Sequence, residues 1–452
     1  MKNAIQLPVS SRMMSNNFLY GVATSSFQIE GDAENRLPCI WDTFCATPGK
    51  IADSSHGLIA CEHVERFEDD VKMIASLGVK AYRFSISWPR VMAQEKTLNE
   101  TGIGFYEKLI AALKQQGIQA YVTLYHWDLP QYLEDQGGWL NRQTAYEYAD
   151  YVEKVVSRLG DTVVSYATFN EPFCSAYLGY EIGVHAPGLT GVSKGRTAAH
   201  HILLAHGLGM QMIRKHTVSA QAGIVLNFTP CYPHDESDSA KEAAAKADEY
   251  INQWYIKPLF DGCYPAIYEQ LSDEQKPPVQ DGDFTIMQQP MDFLGVNFYT
   301  RLTYSAARNE NEFYHEHAHR QPQTDIGWEI YPAALTKLLV GLDSQYTLPP
   351  IYITENGAAM ADQLVDNCVK DNDRIDYYQQ HLLAVDRAIS SGVDIAGYFA
   401  WSLMDNFEWA EGYLKRFGLV YVDYETQKRT LKDSAYAYRD LIQQREQNNA
   451  VG

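Results

Sequence analysis

Three times along this chain a helical stretch ends in a single glycine and is followed at once by a short apolar segment. Residues 70–77 lead through Gly78 to 79–85, residues 109–116 through Gly117 to 118–124, and residues 385–391 through Gly392 to 393–399. A glycine just past a helix supplies the left-handed C-cap conformation that a Cβ would obstruct. The segments after it are short, β-prone and apolar on both faces, as strands of a helix-covered parallel sheet must be. Such alternation builds βα units joined by right-handed crossovers, and so an α/β fold.

The number of strands chooses between an open sheet and a barrel. Eight segments qualify: 19–24, 81–85, 120–125, 165–170, 222–227, 292–297, 351–354 and 395–400. Eight parallel strands close into a TIM barrel, whose site lies at the C-terminal strand ends. The first strand is not followed by a Gly-rich phosphate loop, which weakens a nucleotide-binding open sheet. No Pro-, Gly- or Ser-rich linker divides the sequence. The expectation is therefore one (β/α)8 barrel with elaborated βα loops over 18–445, a loose lead-in over 1–17 and a tail over 446–452.

Composition narrows the partners. With 57 acidic against 37 basic residues the formal net charge is −20, which argues against nucleic acid or an anionic membrane surface. No stretch approaches the ~18 apolar residues of a membrane span, and the first residues lack the apolar centre of a signal peptide. Seven scattered cysteines without a CxxC pair read as free thiols in a reducing cytoplasm. The 31 Tyr and 8 Trp suit flat, partly apolar ligands such as sugar rings.

Polar or aromatic groups stand at the ends of nearly all the expected strands. In order they are Gln28 and Glu30, Arg83, His126-Trp127-Asp128, Asn170-Glu171, Asn227, Asn297-Phe298-Tyr299, Glu355-Asn356, and Trp401 with Glu408-Trp409 beyond. A helix cap or a satisfied buried group explains any one of them; together at one barrel mouth they read as a shared site. Glu171 and Glu355 are the pair that glycosidic cleavage needs, one carboxylic acid to protonate the leaving oxygen and one carboxylate at the other face of the sugar. Spacing leaves the stereochemistry open, since about 5–5.5 Å between the carboxyls means retention and about 6.5–9.5 Å inversion.

These motifs resemble those of the glycoside hydrolase family 1 β-glucosidases. Thr168-Phe169-Asn170-Glu171-Pro172 and Ile353-Thr354-Glu355-Asn356-Gly357 are similar to the family's two signatures, and residues 18–31, 82–88, 125–130 and 401–409 to further ones. The resemblance implies that Glu171 is the acid/base and Glu355 the nucleophile of a retaining double displacement. It implies that Arg83 and Tyr299 hold Glu355 ionised and oriented, and that Asn170 donates to the sugar 2-OH. It implies a glycone pocket of Gln28, His126, Trp127, Asn297, Trp401, Glu408, Trp409 and Phe417, with Trp127 nearly as readable as core. An aglycone funnel of Phe173, Cys174, His185, Asn227 and Trp328 follows, with Phe173 where many relatives carry Trp. No cofactor and no metal is implied.

Neighbouring readings are separated by single residues. Family members acting on 6-phosphoglycosides carry Ser at the Glu408 position, with Lys and Tyr downstream; here only Lys415 fits. Silent sugar-binding relatives lack one of the two Glu, and thioglucosidases carry Gln in place of Glu171; this chain has both Glu171 and Glu355. The run from Glu310 to Arg320 holds metal-ligand residue types but reads as a solvated loop. The expected function is a cytoplasmic retaining β-glucosidase cleaving terminal β-D-glucosyl residues from short β-glucosides and cello-oligosaccharides, as a monomer or homo-oligomer. Galactosides and fucosides stay open as alternatives, because sugars that differ so little can share one pocket.

Overall fold

The computed structural model describes residues 4–309 and 312–451. Gly78, Gly117 and Gly392 have φ of +74°, +69° and +106° and follow the helices His63–Ser76, Glu100–Gln115 and Asn372–Ser390. The chain can therefore turn straight from helix into strand. Eight strands form one closed parallel barrel: β1 (Leu19–Ala23), β2 (Ala81–Ser85), β3 (Gln119–Thr123), β4 (Ser165–Asn170), β5 (Gln221–Asn227), β6 (Phe293–Asn297), β7 (Ile351–Asn356) and β8 (Ile395–Trp401). They pair in chain order, and β8 returns to β1 with Leu19 opposite Gly397 and Ala23 opposite Trp401. The (β/α)8 expectation and the eight strand positions hold.

Burial divides by strand face. Tyr20, Val22, Tyr82, Phe84, Tyr166, Ile353 and Tyr398 join the large core between strands and helices. Ala23, Ala81, Tyr121, Ala167, Val225, Phe293, Tyr352, Phe399 and Trp401 form a separate buried cluster drawn from all eight strands. A cluster fed by every strand fills the barrel interior, which is a packed core and not a pore. Side chains nearer the C-terminal strand ends stand on top of this plug.

The lead-in is not loose where it is described. Ile5, Leu7, Met13 and Met14 are buried in the main core, and Ser11 caps the short 3-10 turn Arg12–Met14. Four apolar side chains removed from water outweigh the terminal fraying that the sequence position alone suggests. At the other end the helix Asp433–Val451 runs on through most of the expected tail. The run before Arg320 also departs from a solvated loop: His315–His317 pairs antiparallel with Leu302–Ser305, which pairs in turn with Cys231–Pro233. Glu310 and Asn311 of that run lie outside the described residues. All seven cysteines are free, and among the described residues no helix is long and apolar enough to cross a membrane.

Candidate active site

The strand ends that carry the two glutamates are irregular. Register shifts fall between Ala167 and Asn170 on β4 and between Ile353 and Glu355 on β7; such shifts re-aim side chains at a barrel rim. Glu171 lies just past β4 with φ +49°, its N–H donating to Val225 O at 2.9 Å. Trp127 (φ +78°) and Trp409 (φ +48°) also hold left-handed backbone. Non-glycine residues in that region cost energy and gather at functional sites. At Gly357 a Cβ would lie 1.7 Å from Trp401 O, so only glycine lets the chain after Glu355 pass this close to the end of β8.

Both oxygens of Glu355 are tied to donors from other strands. Arg83 of β2 donates to Oε1 at 2.6 Å, and Tyr299, after β6, donates to Oε2 at 2.7 Å. Arg83 also donates to Asn170 Oδ1 at 2.7 Å, and Asn297 Nδ2 reaches the same oxygen at 3.0 Å. Asn297 Nδ2 donates to Glu171 Oε1 at 2.7 Å, while Cys174 Sγ lies 3.1 Å from Glu171 Oε2. Asn170 Nδ2 and His126 Nε2 are 3.1 Å apart. One hydrogen-bonded network thus joins the two carboxyls across the mouth, with a cation bound to one of them only.

That asymmetry divides their protonation. Burial, then the nearby Glu355 charge, pushes Glu171 up to about 8. Burial also raises Glu355, but there the Arg83 guanidinium and the Tyr299 hydroxyl oppose it. Near neutral pH the pair can hold one proton on Glu171 and a negative charge on Glu355, the arrangement of a general acid beside a nucleophile. Glu408 is likewise pushed up to about 8, by burial and by the charges of Glu355, Glu411 and Glu171. Its Oε2 and His126 Nδ1 are enclosed without a hydrogen-bond partner among the described residues, and a buried polar group left so calls for a partner from outside the chain.

A cavity of about 520 Å³ opens over this network, within the usual size for a small-molecule site. The catalytic, glycone and aglycone residues that the resemblance implies all line it except Gln28, Arg83 and Asn170. Glu30, Asp128, Phe298 and Asn356 of the strand-end set are buried away from it, Glu30 and Asn356 as satisfied structural groups, the former on Arg90 and Tyr106 and the latter on Tyr377 and Tyr398. Of Gln28, Arg83 and Asn170, the last two act from beneath through Glu355 and His126. Gln28 stands further back, its amide donating to Asn406 Oδ1 at 2.9 Å and Phe407 O at 2.8 Å and accepting from Ser25. It braces the segment that carries Glu408. The indoles of Trp127 and Trp409 lie 4.5 Å apart, and Trp127 donates to Asn170 O at 2.9 Å, so this ring is both packing and wall. Trp328, Tyr299 and Phe417 form an aromatic corner with centroids 5.3–6.0 Å apart.

Several lining residues escaped the sequence reading. Tyr177 stacks on Phe173 at 4.8 Å, and Thr300, Glu316, His319 and Glu411 complete the outer wall. Glu316 sits on the strand that reads as loop, because the three polar residues His315-Glu316-His317 give no apolar alternation that would mark it. Five glutamates and no lysine or arginine line the cavity among the described residues. No group of three His, Cys, Asp or Glu among the described residues could hold a metal ion.

A (β/α)8 barrel whose mouth sets two unequal carboxyls among indole rings defines a glycoside hydrolase. The chain belongs to glycosyl hydrolase family 1, whose model matches residues 10–447. A β-glucosidase of Agrobacterium sp. is 44% identical over 432 residues, covering 94% of each chain. A bifunctional β-D-glucosidase/β-D-fucosidase of Bifidobacterium breve is 43% identical over 456 residues, covering 94% of this chain and 97% of that one. The crystal structure of the family 1 β-glucosidase from Exiguobacterium antarcticum B7 superposes with a TM-score of 0.92 at 42% identity, covering 96% of this chain and 99% of that one.

Proposed function

We propose that the protein is a retaining β-glucosidase, with Glu171 as acid/base and Glu355 as nucleophile. The observation that carries this reading is the unequal setting of the pair: Glu355 is held by Arg83 and Tyr299, whereas among the described residues no cation bonds Glu171. In the first step Glu171 gives its proton to the glycosidic oxygen while Glu355 attacks the anomeric carbon, forming a glycosyl ester and releasing the aglycone. Esterification removes the Glu355 charge, so Glu171 becomes a stronger acid, and its carboxylate takes a proton from the attacking water. Water displaces Glu355 and the β-anomer leaves. The two carboxyls and water suffice for this chemistry.

The substrates are terminal β-D-glucosyl residues of short β-glucosides and cello-oligosaccharides. His126 and Glu408 read the sugar hydroxyls, Asn170 holds His126 from beneath, Trp401 carries the ring, and the aglycone lies along Phe173, Cys174, His185, Asn227 and Trp328. Gln28 serves the glycone pocket through the segment it braces. A neutral glycone is favoured over a 6-phosphorylated one because the cavity wall holds Glu408 and no lysine or arginine; Lys415 is spent on Asp325, 2.8 Å from its carbonyl. A dianion in that setting is repelled. Activity on β-fucosides is a second reading, supported by the bifunctional Bifidobacterium relative. The free thiols support a cytoplasmic site of action.

The test is hydrolysis of aryl β-glucoside, β-galactoside, β-fucoside and 6-phospho-β-glucoside, with the released anomer followed by NMR. Turnover of the neutral glucoside with β-glucose appearing first is expected. Turnover of the phosphorylated substrate alone, or α-glucose first, overturns the reading.

A further inference from the structure

Side chains take both oxygens of the Glu171 carboxyl, on unequal terms. Asn297 Nδ2 donates to Oε1 at 2.7 Å, and its own Oδ1 accepts from Thr354 at 2.6 Å, so the amide cannot turn over without losing bonds. An amide N–H only donates, which makes Oε1 an acceptor whether Glu171 is protonated or not. The acid proton is then best carried on Oε2, the oxygen 3.1 Å from Cys174 Sγ. A thiol donates weakly and accepts weakly. It can accept the O–H of the acid and yield it to a glycosidic oxygen, then donate S–H once Glu171 is ionised. A guanidinium at the same place would lock Glu171 as a carboxylate.

The backbone keeps this pair together. Cys174 opens the π-helical segment Cys174–Glu181, and its N–H donates to Glu171 O at 3.0 Å. Thiol and carboxyl therefore sit on one turn, both buried and both on the cavity wall. The other titratable groups facing Glu171 are Glu355 from β7, Arg83 from β2, Tyr299 beyond β6 and Glu408 beyond β8. His126 and His185 share the cavity, and burial pushes both down, His185 to about 4.

We propose that Cys174 is a positioning residue for the acid/base, its thiol holding Glu171 Oε2 and changing from acceptor to donor as Glu171 passes from acid to base. This assigns Cys174 to the reaction itself and not only to the aglycone wall, and it rests on the reading of Glu171 as acid/base.

The experiment is the pH profile of kcat/KM on an aryl β-glucoside for the wild type, Cys174→Ala, Cys174→Ser and Glu171→Gln, with Cys263→Ala as an exposed-thiol control. The S–H bond to the carboxylate is charge-assisted and outweighs the O–H···S bond to the acid, so its loss makes Glu171 a weaker acid and Cys174→Ala should move the basic limb up by about 0.5–1 pH unit. Cys174→Ser, which restores a donor, should keep the limb at or below the wild-type position. A residue that only shapes the aglycone wall would raise KM and leave the limb in place. A limb in Cys174→Ala that coincides with the wild type overturns the thiol's role, as does a limb above wild type in Cys174→Ser; the latter decides if the alanine variant does not fold. A basic limb that persists in Glu171→Gln overturns the acid/base assignment and this proposal with it. A limb lost there but unmoved in Cys174→Ala overturns the proposal alone.

Discussion

Replacing Tyr299 by Phe removes one hydroxyl and leaves the ring that packs against Trp328 at 5.3 Å and Phe417 at 6.0 Å. What is lost is the 2.7 Å hydrogen bond to Glu355 Oε2. Glu355 is only 3% exposed, so water does not readily replace the missing donor. A hydrogen bond to a charged group contributes about 1.5–3 kcal/mol, and one pKa unit corresponds to about 1.4 kcal/mol. The donor favours the ionised form, so its removal raises the Glu355 pKa by about 1–2 units. The nucleophile must be ionised to attack, and the acidic limb of kcat/KM on an aryl β-glucoside should move to higher pH by the same amount. Below the new limb the variant loses about 10- to 100-fold in rate, with a smaller loss on the plateau above it. An acidic limb that stays in place while the plateau falls would refute the reasoning, since Tyr299 would then act on something other than the charge of Glu355.

Further outcomes follow from the same contacts. Glu171→Ala should leave the glycosylation step nearly intact for aryl glucosides with strongly activated leaving groups and slow it by about 10²–10⁴-fold for poor ones; a uniform loss across leaving groups in single-turnover assays contradicts the acid role. Arg374 is fully buried, bonded to Asp371 and to Asp362 at 2.7 Å and 3.0 Å, and donates to the carbonyls of Ala358 and Arg416. Arg374→Ala leaves those carboxylates short of a cation and should destabilise the fold by about 3–5 kcal/mol in urea unfolding; a loss under about 1 kcal/mol would mean that Lys432, whose Nζ donates to Asp362 at 2.5 Å, compensates.

Much of this molecule is legible in its sequence, for a definite reason. Strands such as 165–170 and 395–400 are buried on both faces and follow helices closed by glycine, so neither their number nor their parallel order is in doubt. The site residues cluster because a barrel brings all eight C-terminal strand ends to one mouth. What the sequence conceals depends on packing between distant segments. Ile5 and Leu7 look like a polar terminus until the helices give them a core to enter. Glu316 and His319 reach the cavity because His315–His317 pairs with Leu302–Ser305 at the edge of a small sheet, and three polar residues in a row carry no apolar alternation to mark a strand. Gln28 carries the right residue type at the right place, yet its amide bonds Asn406 and Phe407. The Cys174 contact comes from the tight turn in which the Cys174 N–H bonds Glu171 O, three residues back, and the left-handed backbone at Glu171 that opens this turn is not announced by local propensity.

In the proposed reaction Glu355 forms the covalent bond to the sugar. The most direct measurement is Glu355→Ala assayed on an activated aryl β-glucoside with and without sodium azide, with the product identified by NMR. Near-complete loss of turnover, recovery with azide, and an α-glucosyl azide are expected, because azide enters from the face that Glu355 vacates. Retained turnover without azide, or a β-glucosyl azide, would contradict this role of Glu355.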